Sequence, residues 1–150
     1  MKYYTYEEFT QDTRNLIAQV QKFEAQAIVG IARGGLTLAH AMAEGLALRE
    51  VQTLRTELYD GEQKRKKISV FDTLVFTNVQ RVLVVDDIAD SGETLAVVMQ
   101  HLSEKYPQTL FQSATLFYKK SSLYKPHFWI NEAEEWIDFF WERDFKLSPL

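Results

Sequence analysis

One apolar run near the middle of the chain limits the possible folds more than any other feature. Val82-Leu83-Val84-Val85 places four apolar residues in succession and leads directly into Asp86-Asp87. An uninterrupted apolar run of this length is typical of a strand that is covered on both faces of its sheet. We therefore predict a buried central strand with two acids at its carboxyl end.

The remaining sequence predicts helices that alternate with strands. Apolar spacing predicts helices over 6–22, 36–48 and about 92–106, and strands over 27–32, 51–58, 68–76 and 111–118. Such alternation implies right-handed crossovers and a largely parallel sheet. The 150 residues contain no Pro/Gly/Ser-rich linker. We expect one α/β domain over 1–150.

Composition excludes several classes of function. The formal net charge of −4 gives no general attraction to nucleic acid or to an anionic membrane. The chain has no cysteine, which excludes disulfides, thiolate metal sites and cysteine nucleophiles. No apolar stretch reaches the length of a signal peptide or a membrane span, so we expect a cytoplasmic protein without integral membrane association.

The segment after the central strand has the chemistry of a ribose phosphate site. Ser91, Gly92 and Thr94 fall where a loop becomes a helix, which offers free N–H groups and two hydroxyls to a phosphate. Asp86 and Asp87 would repel each other unless hydroxyls or a divalent cation lie between them. A ribose diol and Mg2+ would meet both needs. A helix-capping turn is the structural alternative, but it explains only Asp90 and Ser91.

Residues 82–94 resemble the binding motif for phosphoribosyl pyrophosphate (PRPP) of the type I phosphoribosyltransferases. Four apolar residues, two acids, an apolar residue, any residue, an acid, Ser or Thr, Gly, any residue, and Ser or Thr follow in register. The resemblance implies that Asp86 and Asp87 hold the ribose and Mg2+. It also implies that the 5-phosphate is held by Asp90, Ser91, Gly92, Glu93 and Thr94.

Two further segments resemble parts of the same family. Ala32-Arg33-Gly34 lies at the end of the first predicted strand of the sheet, where the family carries its pyrophosphate loop. Taken alone, an ordinary Gly-Gly turn with an exposed arginine is the alternative. Arginine supplies a fixed cationic fork, and glycine permits close backbone approach. Residues 59–67 are strongly polar and resemble the flexible catalytic loop, with Tyr59, Lys64 and Arg65 as candidate pyrophosphate contacts. A solvated surface loop is the alternative for this segment.

The C-terminal third suggests which base accepts the ribose. Over nearly its whole length the chain is similar to the bacterial xanthine-guanine phosphoribosyltransferases, through 31–36, 82–94, 115–119 and 135–142. The similarity implies that Lys119 binds the purine 6-oxygen, Trp136 stacks on the ring, Ile137 contacts the 2-substituent and Ile88 forms the opposite wall. A surface lysine and a cluster of core or interface aromatics are the structural alternatives.

The resemblance implies a type I phosphoribosyltransferase fold with a small C-terminal hood, and a homo-oligomer. It also implies transfer of ribose 5-phosphate from PRPP to N9 of guanine, xanthine or hypoxanthine. The resemblance places Asp90 beside the purine, and Asp90 is the candidate proton acceptor in catalysis. An acid for a second metal ion would be either Glu142 or Asp144. Transfer to another base, or a non-catalytic PRPP sensor, remains the alternative.

Overall fold

A six-stranded, mostly parallel sheet forms the centre of the protein, in a computed structural model that describes residues 1–60 and 66–148. The strands are β1 (Lys2–Tyr4), β2 (Ala27–Ala32), β3 (Val51–Asp60), β4 (Lys66–Asp72), β5 (Arg81–Ala89), β6 (Leu110–Tyr118), β7 (Phe128–Glu132) and β8 (Ile137–Phe139). The helices are α1 (Tyr6–Val20), α2 (Leu36–Leu46), α3 (Glu93–Lys105) and α4 (Phe140–Arg143), and a 3-10 turn covers Gln21–Phe23.

The order of strands puts the two predicted ligand loops side by side. The large sheet has the order β4-β3-β2-β5-β6-β7, and every neighbouring pair is parallel except β3 with β4. Because β2 and β5 are adjacent and parallel, the turn after Ala32 and the loop after Ala89 emerge at the same edge of the sheet. The predicted α/β fold with a mostly parallel sheet is confirmed.

A second, two-stranded sheet covers that edge. β1 pairs in parallel with β8, and the Lys2 N–H donates to the Trp136 carbonyl at 2.8 Å. The N-terminal strand therefore holds the chain segment of Trp136 in place. The hood that we expected from the C-terminal part is thus built by both ends of the described chain.

Helices cover both faces of the large sheet and produce two cores. Leu83 and Val85 point into a core shared with α1 and α2, and Val82 and Val84 point into a core shared with α3. All four side chains are fully buried. This arrangement explains the unbroken apolar run, because neither face of β5 meets water. None of the helices in the described ranges is long and apolar enough to cross a membrane.

Local sequence signals explain where α1 begins. The Thr5 hydroxyl accepts from the Glu8 N–H at 3.1 Å, and the Glu8 carboxylate accepts from the Thr5 N–H at 2.9 Å. This reciprocal capping box satisfies two N–H groups that a helix start would otherwise leave without partners. α1 ends at Val20 rather than at 22, since the chain tightens there into the 3-10 turn.

Several strand bounds differ from the sequence predictions. β5 continues from Val85 to Ala89, since Asp86 and Ile88 pair with Thr115 and Phe117 of β6. The strand predicted over 68–76 ends at Asp72. Strands β1, β7 and β8 were missed, because they are short and have no clear alternation of apolar and polar residues.

Asp72 ends β4 and links it to α3. Its side chain, 1% exposed, lies 2.5 Å from His101 Nε2 and accepts from Lys105 Nζ at 3.0 Å. It also accepts from the Tyr106 hydroxyl at 2.9 Å and the Leu74 N–H at 3.1 Å. Burial alone would raise the pKa of Asp72, but these donors together lower it well below its usual range.

We predict that Asp72→Asn lowers the free energy of unfolding by about 3 kcal/mol at neutral pH, because it removes the buried anion that His101, Lys105 and Tyr106 share. The stabilisation belongs to the ionised carboxylate. It is therefore complete above the unfolded-state pKa of about 3.9 and is lost as the pH falls toward the lowered folded-state pKa. Urea unfolding of both proteins at several pH values measures this difference.

The matched control is Glu57→Gln in the neighbouring strand β3. Glu57 accepts from Arg55 at 2.7 Å, but both side chains are more than half exposed, so we expect a change below about 1 kcal/mol. A difference between wild type and Asp72→Asn that does not shrink in acid would contradict the role given to the carboxylate.

Candidate active site

The turn after β2 packs directly against the acidic pair of β5. A Cβ atom on Gly34 would lie 2.5 Å from Asp87 Oδ2, and one on Gly35 would lie 2.5 Å from the Val85 carbonyl oxygen. Only glycine permits so close an approach at both positions. The Ala32–Arg33 peptide bond in this turn is cis. The structure thus brings the predicted pyrophosphate turn and the predicted ribose acids into contact.

Asp86 and Asp87 are acids without a nearby counter-charge in the described ranges, where neither forms an ion pair. The Asp87 N–H donates to Asp86 Oδ1 at 2.9 Å, and the Ile88 N–H donates to Asp87 Oδ1 at 2.8 Å. Burial and the charge of Asp87 raise the pKa of Asp86 well above its usual range, and burial raises the pKa of Asp87. A bound cation would relieve this unfavourable environment.

The loop from β5 to α3 surrounds a cavity of about 220 Å³. The predicted phosphate residues Asp90, Ser91, Gly92 and Thr94 line it, whereas Glu93 does not. Gly92 has a φ of 84°, and a Cβ atom there would collide with Ser122 Oγ. The loop therefore needs glycine for both its conformation and its packing.

A second cavity of about 230 Å³ lies between the β5 loop and the hood. It gathers all four predicted base contacts together with two predicted acids: Asp87, Ile88, Asp90, Lys119, Trp136 and Ile137. These residues come from three separate parts of the chain. The cavity shares Asp87, Ile88 and Asp90 with the loop cavity, so the two lie side by side.

Lys119 and Asp90 face each other across this second cavity. Lys119 Nζ lies 3.5 Å from Asp90 Oδ1, and both side chains are about half exposed. The Lys119 N–H donates to the Ala89 carbonyl at 3.0 Å, and the Lys119 carbonyl accepts from the Ser122 N–H at 2.8 Å. These backbone bonds fix the end of β6 against the end of β5 and so bring the backbones of Lys119 and Asp90 close together.

Trp136 differs from the other aromatics of the C-terminal part. Phe128 is 6% exposed and Phe139 is 2% exposed, and both belong to the core beside α1. Trp136 is 66% exposed and lines the second cavity. Phe140 and Trp141 pack against the same core, so most of these aromatics are core as predicted, and the contact of Trp136 with a ligand stays a prediction.

Other predicted residues lie elsewhere or outside the described ranges. Ala32 lines a separate groove of about 570 Å³ beside Asp72. Tyr59 is not in a loop but in strand β3, where it pairs with Lys67 of β4. Lys64 and Arg65 lie outside the described residues. The flexible-loop prediction therefore needs correction at Tyr59, because the polar segment begins as a β-hairpin.

The two candidate acids for a second metal ion lie in different places. Glu142 lines the second cavity, and burial together with the charge of Asp87 raises its pKa, while Arg33 acts in the opposite direction. Asp144 instead accepts from the Tyr3 hydroxyl at 2.6 Å, outside that cavity. In the described ranges no group of three or more His, Asp or Glu residues could hold a metal ion by protein ligands alone.

Sequence reasoning missed part of the hood wall of the second cavity. Ala133, Glu134, Glu135 and Phe139 also line it. The pairing of β1 with β8 folds this segment over the site. No motif in 133–139 signals that pairing.

The phosphoribosyl transferase domain family matches residues 2–147, and the chain belongs to this family. It is 28% identical to the xanthine-guanine phosphoribosyltransferase of Idiomarina loihiensis, over 92% of this chain and 84% of that protein. It is 31% identical to the enzyme of that name from Cereibacter sphaeroides, over 78% of this chain and 69% of that protein.

A solved structure gives the same result. The xanthine-guanine-hypoxanthine phosphoribosyltransferase of Helicobacter pylori is 39% identical, with a TM-score of 0.88 over 95% of this chain and 94% of that chain. The predictions of a type I phosphoribosyltransferase fold and of an enzyme of this class are confirmed.

Proposed function

We propose that the protein is a purine salvage enzyme that transfers the 5-phosphoribosyl group of PRPP to N9 of a 6-oxopurine. The observation that carries this proposal is the second cavity, where Lys119, Trp136 and Ile137 face Asp87 and Asp90. A planar base and an activated ribose would meet in that space. The relatives named above act on xanthine and guanine, which supports the same class of acceptor.

The donor would bind along the ends of β2 and β5. Asp86 and Asp87 would hold the ribose hydroxyls, Asp90 to Thr94 the 5-phosphate, and Ala32 to Gly34 the pyrophosphate. Phosphoribosyltransferases generally use Mg2+ with PRPP, and the acidic pair fits that ion. Asp87 is buried, Asp86 is half-buried and both pKa values are raised, and Mg2+ favours one or two carboxylates completed by substrate oxygens.

The acceptor would lie between Ile88 and Trp136. Stacking on an aromatic ring contributes about 1–3 kcal/mol for a planar base. The Lys119 ammonium would leave Asp90 and donate to the 6-oxygen, and the backbone at Ile137 would contact the 2-substituent. The exposed ring of Trp136 is free to take this role.

The reaction exchanges one bond at the ribose C1 for another. The C1–oxygen bond to pyrophosphate breaks, positive charge builds on the ribose ring, and the purine N9 lone pair forms the new C1–N9 bond. Bound Mg2+ would neutralise negative charge on the leaving pyrophosphate. Arg33 would supply further positive charge there, and Asp90 would accept the proton that the purine loses.

We predict that Trp136→Ala raises the KM for guanine by about 10-fold to 100-fold, because it removes the stacking surface. The KM for PRPP should change little, since the tryptophan lies on the far side of the cavity from the phosphate loop. Steady-state kinetics with each substrate varied in turn measures both constants.

Trp129→Ala is the matched control for this prediction. Trp129 packs on Tyr118 with ring centroids 5.2 Å apart and does not line the second cavity. The Trp129→Ala variant should have a KM for guanine near the wild-type value. An equal rise in both KM values for Trp136→Ala would place the base elsewhere.

We also propose that the enzyme works in the cytoplasm as a homo-oligomer. Apolar side chains on the hairpin and just after it are exposed, with Leu58 at 58%, Phe71 at 43% and Val75 at 67%. Such side chains suit contact between copies of the chain. Light scattering after size exclusion would give the mass in solution, and a monomeric mass at micromolar concentration would contradict the proposal.

A further inference from the structure

The base cavity contains more negative charge than a 6-oxopurine alone requires. Its lining includes five carboxylate side chains and a single ammonium, that of Lys119. The ammonium is already paired with Asp90 at 3.5 Å. Asp87 faces the predicted ribose. The hood wall around Trp136 and Ile137 therefore presents an excess of negative charge toward the edge of the base.

Glu134 and Glu135 differ in how well they are neutralised. Glu135 Oε1 lies 2.6 Å from the amino group of Met1, so a cation already balances its charge. Glu134 takes part in no ion pair or side-chain hydrogen bond within the described ranges, and it is exposed on the cavity wall. Glu134 lies two residues before Trp136 in the sequence, in the segment predicted to contact the purine 2-substituent.

The three candidate 6-oxopurines differ at that position. Guanine carries an amino group at C2, which donates hydrogen bonds, and hypoxanthine carries only hydrogen. Xanthine carries a carbonyl oxygen, and it readily loses a ring proton near neutral pH to become an anion. A carboxylate beside C2 attracts the donor of guanine and repels the oxygen and the charge of xanthine.

We propose that Glu134 is a specificity residue that makes the enzyme favour guanine over xanthine, although relatives act on both. This inference rests on the proposed 6-oxopurine transfer and adds a preference among the 6-oxopurines. Specificity of this kind comes from repulsion of the wrong ligand as well as attraction of the right one. Hypoxanthine, which has neither the amino group nor the second carbonyl, should lie between the two bases.

The test compares kcat/KM for guanine, hypoxanthine and xanthine in wild type and in Glu134→Gln. We expect wild type to prefer guanine over xanthine by about 10-fold or more, and Glu134→Gln to reduce that preference by about 5-fold to 20-fold. The kcat/KM for hypoxanthine should differ by less than about twofold between wild type and Glu134→Gln, because this base has no group to attract or repel at C2.

Glu132→Gln is the matched control, since Glu132 is an exposed glutamate at the end of β7 that does not line the cavity. Calorimetric binding of guanosine and xanthosine 5'-monophosphates to the same proteins gives a second readout that needs no turnover. Wild type should bind the guanosine nucleotide more tightly, and Glu134→Gln should narrow the difference.

The outcomes separate the two proposals. Activity with guanine together with equal use of xanthine would overturn the role of Glu134 and leave the transferase assignment intact. An unchanged guanine-to-xanthine ratio in Glu134→Gln would do the same. Failure of every 6-oxopurine to react with PRPP would overturn the proposed function itself, and the inference with it.

Discussion

Replacing Asp90 with alanine should lower kcat by about 100-fold to 10,000-fold, the usual contribution of a general base. The dissociation constant for PRPP should change by less than about fivefold, because backbone N–H groups and the hydroxyls of Ser91 and Thr94 still surround the phosphate. Asp90 is exposed and lines both cavities, where it would lie between the proposed sites of the ribose and of the purine.

The isosteric variant Asp90→Asn separates proton transfer from packing. It keeps the size of the side chain but removes the carboxylate that would accept the proton. The same carboxylate is the partner of Lys119 at 3.5 Å. We expect a loss of kcat similar to that of the alanine variant, with PRPP affinity measured by calorimetry close to wild type. Equal losses of turnover and PRPP affinity in both variants would contradict the role as base.

Gly34→Ala should lower kcat/KM for PRPP by about 100-fold or more while leaving the melting temperature within a few degrees of wild type. The new Cβ would lie 2.5 Å from Asp87 Oδ2 and 3.0 Å from Asp87 Cγ. The end of a side chain can rotate away from such a contact at little cost in stability. That rotation would remove Asp87 from the position in which we propose that it binds the ribose.

Two other glycines provide controls for this prediction. Gly45 lies in α2, and the atoms nearest to a Cβ there belong to the Ile17 side chain, so Gly45→Ala should leave activity near wild type. In Gly35→Ala the Cβ would lie 2.5 Å from the Val85 carbonyl oxygen and 2.9 Å from Asp86 Cα. Backbone cannot rotate away, so this variant should lose stability as well. Full PRPP turnover in Gly34→Ala would show that Asp87 is not needed where the structure places it.

Local patterns predicted five of the six strands of the main sheet, all but β7, because the strongest signals lie within short segments. The apolar run 82–85 predicted β5, and the acids and glycine after it predicted the phosphate loop. The bounds needed tertiary information. Asp86 and Ile88 stay in strand conformation because β6 offers them partners, and β4 stops at Asp72 because that carboxylate accepts the Leu74 N–H.

The donor half of the site was easier to predict than the acceptor half. The donor residues are contiguous in sequence, so their spacing carries the information. The base cavity instead depends on how 133–139 folds over the end of β6, which the pairing of Lys2 with Ile137 decides. Glu134 and Glu135 therefore could not be placed from the sequence, whereas Lys119 and Trp136 followed from the family resemblance.

The choice of acceptor base can be measured with the purified protein. Purified protein is mixed with PRPP, Mg2+ and one of guanine, hypoxanthine, xanthine, adenine or uracil, and the release of pyrophosphate is followed together with formation of the nucleotide. We predict turnover with guanine and hypoxanthine, and none above background with adenine or uracil. Turnover with uracil or adenine alone would contradict the assignment of this cavity to a 6-oxopurine.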